Sequence, residues 1–292
     1  MALTEMVVLI QALVQGIMVG VMYGLMGLGI TMVFAITRLL NFSHGDFMAL
    51  AMYVCLLLYQ QLGLDPYASS GLVAALFVPM GGLVFALLFK RVLRAHILMV
   101  IQLTLGLVFI IENGLLLGFG ADYRSIPTVL TAKKVHIGPL ILRAPHLAAF
   151  VIGSALALAL FWTLKYTDLG RAIRAISQNV EGAKVVGLNV ERVQLIVFSG
   201  AIGLLGLVGP LLVPMITMTP FMGLHLTLFS FIVFVMGGVG NFLGTMLAGL
   251  VLGIAESLGQ LYIGGNLGLV VPYGVFVLVL LVRPAGLLGA KQ

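Results

Sequence analysis

Hydrophobic positions along this chain come in long runs, and short polar stretches separate the runs. Most runs contain about 20 residues, which as a helix would cross a hydrocarbon core about 30 Å thick. Transmembrane β-strands would instead alternate in polarity over about 10 residues, and these runs do not alternate. The pattern therefore predicts an all-α polytopic membrane protein with about eight transmembrane helices plus short or broken helices.

The predicted spans fill almost the whole chain. The first, at 7–36, is longer than one straight span needs, so we expect it to tilt or to break near its glycines. The next spans are predicted at 47–62, 71–89, 97–119, 147–166, 193–216, 242–262 and 267–282. Kinks are expected at Pro79, Pro210 and Pro214, which lie inside two of these spans.

Two connecting regions carry finer expectations. The loop 120–146 contains two short apolar stretches, 128–130 and 135–137, which are candidates for a small hairpin. The apolar segment 226–236 is short for a full span, so we expect a short or broken helix pair that meets at the turn 237–241.

Lysine and arginine residues are unevenly shared between the two ends of the spans. Cytoplasmic loops carry an excess of these residues. If the loop 167–192 is cytoplasmic, eleven of the fifteen lie on that side and four, all in 120–146, lie on the other. The eleven are Arg38, Lys90, Arg91, Arg94, Lys165, Arg171, Arg174, Lys184, Arg192, Arg283 and Lys291. This distribution predicts an N-terminus outside and a C-terminus inside.

Composition narrows the class of protein further. Charged residues make up 8% of the chain, against roughly 25% in soluble domains. A single cysteine, Cys55, rules out an internal disulfide, and the five histidines have no metal-ligand spacing. The P-loop, G-x-S-x-G and H-E-x-x-H motifs are absent from the sequence. We therefore expect this chain to have no catalytic site and to bind no cofactor or metal.

The loop 167–192 is the longest polar interruption that has a net positive charge and a helical pattern. Asp168 is expected to cap a first helix, with Arg171 and Arg174 on one face. A second short helix is expected to end at Gly187, because glycine favours the left-handed conformation that terminates helices. On charge pattern alone, an ordinary solvated basic loop stays open as an alternative.

Part of this loop resembles a known motif. Glu181-Gly182-Ala183-x-x-x-Gly187 is similar to the EAA-x-x-x-G coupling motif of ABC importer permeases, with Gly182 departing at the second position. Further stretches resemble the branched-chain amino acid permease family of these importers, and they occur in the family's order over nearly the full length. These stretches are 40–46, 170–175, 187–193, 237–240, 253–256 and 283–289.

The resemblance implies a division of labour among several proteins. A periplasmic solute-binding protein would deliver the solute, two permease subunits would form the path, and two cytoplasmic ATPase subunits would hydrolyse ATP with Mg²⁺. This chain would be one transmembrane permease domain, 1–292, in the lipid of the bacterial inner membrane, with no role for nucleic acid. Its loop 167–192 would couple to an ATPase through Gly170, Arg171, Arg174, Ala175, Glu181, Ala183 and Gly187.

Polar residues within or near the spans are candidates for the translocation path, since ionisable groups at depth usually face a cavity or a partner. They are Asn41, His44, Asp46, Glu112, Asn113, Asn241 and Glu256. The runs Asn41-Phe42 and Asn241-Phe242 also echo each other, as paired helix breaks do in transporter repeats. Two structural alternatives stay open: hydrogen bonding between helices for the two glutamates, and helix capping at the cytoplasmic interface for residues 41–46.

The sequence leaves the solute open. Branched-chain or related hydrophobic amino acids are expected, and urea or a short amide is the alternative within the same class, because related permeases share these motifs. A stand-alone secondary transporter or channel is the alternative from another class, and it leaves the EAA-like loop without a role. Homodimeric and heterodimeric pairing of the permease subunits both fit.

Overall fold

The computed structural model describes residues 2–93, 95–128 and 130–289. Arg94, Val129 and Lys291, which entered the expectations above, lie outside the described residues. The elements in chain order are α1 (Ala2–Thr37), α2 (His44–Leu62), α3 (Pro66–Val84), α4 (Ile97–Phe119), β1 (Lys134–Ile137), β2 (Leu140–Arg143), α5 (Ala144–Tyr166), α6 (Asp168–Gln178), α7 (Val180–Val185), α8 (Val190–Leu212), α9 (Gly223–Gly237), α10 (Phe242–Tyr262) and α11 (Val270–Val282).

Short helical turns extend three of these helices. A π-helical turn, Phe85–Phe89, and a last α-helical turn, Lys90–Val92, follow α3. The 3-10 turns Pro220–Met222 and Gly265–Leu269 precede α9 and α11. In the described part of the chain, 8 helical segments are long and apolar enough to cross a membrane. The prediction of an all-α, multi-pass membrane protein is therefore confirmed.

The long first helix does not break at its glycines. α1 is one continuous helix of 36 residues. A Cβ on Gly16 would lie 2.6 Å from Ile254 Cα, and one on Gly20 would lie 2.7 Å from Leu250 Cα, both in α10. Of the two alternatives, the break is wrong, because these glycines serve close helix packing, which leaves the backbone hydrogen bonds of α1 intact. The tilt stays a prediction.

The region 213–241 also differs from the sequence-based expectation. α8 ends at Leu212, so Pro214 lies beyond the helix rather than inside it. The segment expected to be short starts earlier, and Pro220–Gly237 spans 18 residues, enough to cross a membrane. The helices α9 and α10 meet at the turn 238–241, as predicted.

The loop 120–146 contains a hairpin, but one of its two strands differs from the expected one. β1 pairs antiparallel with β2, and Val135 faces Leu142. Residues 128–130, the expected partner, are not assigned to a strand where the structure describes them. The turn at Gly138, whose φ is +60°, brings the chain straight back along β1, because glycine adopts this backbone conformation without strain.

The described residues form two compact units. The central unit consists of Gly29–Ile126 and Ala155–Leu228, and the terminal unit consists of the chain up to Leu28, Pro127–Ser154 and the chain from Phe229 onward. Whether the chain acts as the single domain that the sequence suggests stays a prediction.

Each unit has an apolar interior of its own. In the central unit, Phe85 and Phe89 pack their rings against Phe198 of α8, with centroid distances of 5.5 and 4.6 Å. In the terminal unit, the core residues from α9 and α10 are Ile232, Val233, Met236, Ala248 and Leu252. Aromatic residues of α1 and α11, including Tyr23 and Tyr273, pack against that core.

Candidate functional site

The loop 167–192, which we call the coupling loop after the role expected from the sequence, contains two capped helices. Thr167 caps α6, since its Oγ1 accepts a hydrogen bond from Gly170 N at 3.3 Å. Asp168 was expected in this role, but it is the first helical residue and pairs with Arg171. Asn179 caps α7 in the same way by accepting from Gly182 N at 2.9 Å. The caps fix both helix starts, because each satisfies a backbone N–H that lacks a partner within the helix.

One face of the coupling loop rests on the chain itself. Arg174 donates to Leu164 O and, at 3.4 Å, to Lys165 O, both of them carbonyls near the end of α5. A Cβ on Gly170 would overlap Leu164 O. Ala183 is buried, and Ala175 is half-buried. Four of the seven predicted coupling residues therefore hold the loop in place rather than pointing away from it.

The other face of the coupling loop is open. Glu181 pairs with Lys184 at 2.6 Å on this face. Gly187 follows α7 with φ at +84°, and the space where its Cβ would lie is empty. Val185 and Val186 are 87% and 75% exposed. The sequence analysis missed these two valines, although adjacent β-branched residues in a polar loop were a visible signal.

The first break, residues 38–43, leads the chain from the end of α1 back alongside that helix. His44, the first residue of α2, places its imidazole ring beside Gly29 of α1, where a Cβ would lie 2.6 Å from Cε1. Gly29 precedes the end of α1 by about eight residues, or about 12 Å of helix. The start of α2 therefore lies beside α1 rather than beyond its end. Ser43 precedes α2 without a side-chain capping hydrogen bond, and the position of this segment relative to the cytoplasmic interface stays a prediction.

Buried polar groups surround the start of α2. Asn41 Oδ1 accepts from Ser43 N at 3.1 Å and from Ser43 Oγ at 2.7 Å. Thr227 of α9 accepts from Gly45 N at 2.8 Å and donates to Phe42 O at 3.1 Å. The structure thus brings Asn41 and the start of α2 together with Thr227, a residue that the sequence analysis missed. A threonine inside an apolar segment gave no signal on its own.

Asp46 stands out within this cluster. It is 1% exposed, and neither of its carboxylate oxygens has a hydrogen-bond partner among the described residues. Its carboxylate lies against the backbone of Gly223, at the first turn of α9. A helix N-terminus favours a negative charge, which gives this carboxylate an electrostatic partner without a hydrogen bond.

The second break, residues 238–241, is a tight turn. Asn241 caps α10, because its Oδ1 accepts from Gly244 N at 2.9 Å, and its Nδ2 donates to Leu288 O at 2.7 Å. Leu287 N donates to Met236 O at 2.8 Å. The C-terminal segment is therefore hydrogen-bonded to this turn.

Glu256 forms hydrogen bonds within the terminal unit. Its Oε2 accepts from the Tyr23 hydroxyl at 2.5 Å, and its Oε1 accepts from Gln260 Nε2 at 3.0 Å. Tyr23 also stacks with Phe229 at a centroid distance of 5.0 Å. These contacts agree with the alternative reading in which Glu256 bonds one helix to another.

Glu112 and Asn113 lie on α4, whose surface is largely exposed. Asn113 is exposed and donates to Phe109 O of its own helix at 2.8 Å. Gln102 is exposed on the same helix, and Cβ atoms on Gly106 and Gly114 would meet empty space. The exposed surface of α4 therefore carries amide side chains and glycines that have open space beside them.

The structure separates the path candidates into three places. Asn41, His44 and Asp46 lie in the interior of the central unit, where the half-buried Glu112 of α4 interacts electrostatically with Asp46. Asn113 is exposed on α4, and Asn241 and Glu256 belong to the terminal unit. No three histidine, cysteine, aspartate or glutamate side chains come together as a metal site within the ranges that the structure describes.

A family model described as "Branched-chain amino acid transport system / permease component" matches residues 12–280. No solved structure matches the chain.

Curated relatives cover almost the whole chain. The "High-affinity branched-chain amino acid transport system permease protein LivH" of Escherichia coli K12 is 27% identical over 282 residues, which cover 92% of this chain and 91% of the relative. The protein BraD of Pseudomonas aeruginosa, described in the same words, is 27% identical with 92% of both chains covered. A "Probable branched-chain amino acid transport permease protein LivH" of Methanocaldococcus jannaschii is 27% identical, covering 91% of this chain and 88% of the relative.

Proposed function

This chain belongs to the family of branched-chain amino acid transport system permease components, and on that premise we propose that it is a permease subunit of a bacterial ABC importer. The names of its relatives favour branched-chain or related hydrophobic amino acids as the solute. The chain itself hydrolyses nothing in this proposal. ATP and Mg²⁺ are used by two separate ATPase subunits, and a periplasmic binding protein delivers the solute.

The open face of the coupling loop carries this proposal. Val185 and Val186 are exposed beside the ion pair of Glu181 with Lys184, while Arg174 fixes the opposite face to the end of α5. A rigid element with an apolar outer face is what a cytoplasmic ATPase needs in order to move the spans. A stand-alone channel or secondary transporter would leave this outer face unused.

The surface of α4 suits the translocation path. Amide and carboxyl groups are expensive in a hydrocarbon environment, so such residues face a partner or a water-filled cavity. Asn113 and Gln102 are exposed on this helix, with Gly114 open beside them. We assign this surface to the interface with a second, homologous permease subunit, where the path lies between the two.

We infer the membrane orientation from the positions of the positive residues. Lys90, after α3, pairs with Glu191 at the start of α8 at 2.5 Å, and Arg38 donates to Ser177 O of α6 at 2.7 Å. These residues therefore gather at the end of the central unit that carries the coupling loop. Since positive residues favour the cytoplasmic side, we place this end in the cytoplasm of a cell whose inner membrane holds the chain. The N-terminus is then outside and the C-terminus inside.

Substitution of Gly187 tests the coupling assignment. Valine at this position would strain the left-handed backbone that ends α7, by about 1–2 kcal/mol, and displace the adjacent valines. Uptake of leucine should fall at least about fivefold relative to ATP hydrolysis, a loss of the order expected for altered coupling, with normal membrane insertion. Asparagine tolerates this backbone conformation, so Gly187→Asn is the matched control and should retain coupling. Wild-type coupling in Gly187→Val would remove the coupling role.

A further inference from the structure

The first break joins the coupling loop to the interior of the central unit, and we propose that it transmits the motion of that loop to α9. The inference rests on the proposed function, since a docked ATPase supplies the motion. It assigns Arg38 and Thr227 as positioning residues for transport. Neither residue belongs to the EAA-like motif.

At its outer end, the first break is tied to the coupling loop. Arg38 Nη2 donates to Ser177 O at 2.7 Å, and Ser177 lies in the last turn of α6, where carbonyls lack partners within the helix. Beside this contact, Gln194 of α8 donates to Ile36 O at 3.1 Å, which bonds the end of α1 to α8. A displacement of α6 therefore acts directly on the residue that opens the first break.

The backbone of Arg38 is unusual. Its φ is +57°, and it is the one non-glycine residue with a positive φ in the described ranges. Such a conformation is disfavoured for a residue with a Cβ and persists where the surroundings enforce it. Here the hydrogen bond from Arg38 N to Phe34 O at 2.9 Å and the bond to Ser177 hold it. The sharp turn directs the chain back among the helices.

The first break is stiffened by its own hydrogen bonds. Leu39 N donates to Thr37 Oγ1 at 3.2 Å, and Asn41 Oδ1 accepts two hydrogen bonds from Ser43. Leu39, Asn41 and Ser43 are buried. A short segment that is packed and bonded along its length shifts as a unit, because closely packed interiors transmit strain.

At the end that leads into α2, the first break is hydrogen-bonded to α9. The hydroxyl of Thr227 accepts from Gly45 N at 2.8 Å and donates to Phe42 O at 3.1 Å, so it bonds to the residues on both sides of the start of α2. A Cβ on Gly45 would overlap Gly223 O. The two backbones touch directly, and no flexible side chain lies between them to absorb a displacement.

A second route from the coupling loop runs through α5. Arg174 donates to carbonyls near the end of that helix. Motion of α6 therefore reaches α5 whether or not the first break is intact. Loss of the Arg38 contact should consequently weaken coupling rather than abolish it, and the complex should still assemble.

The test uses the intact complex of this chain with its copurified partners, reconstituted in vesicles with radiolabelled leucine as the probe. Arg38→Ala and Thr227→Val should each lower leucine uptake per ATP hydrolysed by about three- to tenfold, the order of effect seen along coupling networks. Arg38→Lys, which keeps a donor for Ser177 O, should recover most of the loss. Arg91→Ala removes an equal charge, and Thr163→Val removes a hydroxyl that bonds within its own helix, so both controls should match the wild type.

The double variant Arg38→Ala/Thr227→Val distinguishes one link from two unrelated defects. If both residues act through the first break, the double variant should lose no more coupling than the more severely impaired of the two single variants. Independent effects would instead multiply. Multiplied losses, or Arg38→Ala with wild-type coupling, would overturn the link while leaving the proposed function intact. A wild-type complex that takes up no leucine with ATP would instead overturn both.

Discussion

The two helix breaks share a short sequence, and they differ in how fully their polar groups are hydrogen-bonded. Each contains an asparagine that is followed by a phenylalanine, and each asparagine accepts a hydrogen bond from the backbone that follows it. In the second break, both the oxygen and the nitrogen of the Asn241 side chain are hydrogen-bonded, and the bond from the nitrogen holds the C-terminal segment at Leu288. The first break leaves Asn41 Nδ2 and the Asp46 carboxylate without hydrogen-bond partners in the described structure. Buried polar groups without partners reduce stability, so the first break is the better candidate for function and the second for structure.

The largest expected effect tests what the two breaks have in common. Gly45→Ala would place a Cβ on Gly223 O, and Gly244→Ala would place one on Gly237 O. Both changes should reduce the yield of monodisperse protein in detergent at least about tenfold, because overpacking against backbone cannot be relieved by a rotamer change. Gly71→Ala adds a methyl group in open space and should leave the yield unchanged. A normal yield from either of the first two variants would show that its break is not close-packed.

The next prediction separates the breaks. Asn241→Ala should lower the free energy of unfolding by about 1–2 kcal/mol, since it removes a helix cap and a bond to Leu288. Leucine uptake per folded complex should stay near the wild-type value. Asn41→Ala should lower that uptake several-fold at a similar cost in stability. Thermal unfolding and vesicle uptake measure both quantities, and equal uptake in the two variants would erase the functional difference.

A smaller effect is expected at the two buried acidic residues. Glu256→Gln should lower stability by about 1 kcal/mol, because one of its two hydrogen bonds is weakened, and uptake per folded complex should not change. Asp46→Asn removes no hydrogen bond that the described residues provide. It should lower the free energy of unfolding by no more than about 1 kcal/mol, the contribution of a charge at a helix N-terminus, and it should lower leucine uptake. The reverse pattern would place the functional carboxylate in the terminal unit.

The spans were predictable because a transmembrane helix needs a continuous apolar run, and each run is visible in the sequence. The ends were less predictable. Thr167 and Asp168 are both good capping residues, and only the structure shows that Thr167 Oγ1 accepts the hydrogen bond from Gly170. The seven coupling residues came from the family motif, which does not distinguish the buried Ala183 from the exposed Val185.

The depth of the first break could not be predicted from the sequence. It depends on backbone contacts between residues far apart in the chain, among them Gly45 with Gly223 and His44 with Gly29. From the sequence alone, a glycine in an apolar run is equally consistent with a helix break and with close packing against a neighbouring helix. For the same reason, the glycines of α1 suggested a break where the helix is continuous.

The central claim is that this chain works as one permease subunit beside separate ATPases. The most direct measurement is copurification in mild detergent with a tag on this chain, followed by mass identification of the proteins recovered. The account predicts two ATPase subunits and a permease pair, either as a second homologous subunit or as two copies of this chain. Recovery of a single copy of this chain alone, in a detergent shown to preserve a known ABC importer, would contradict it.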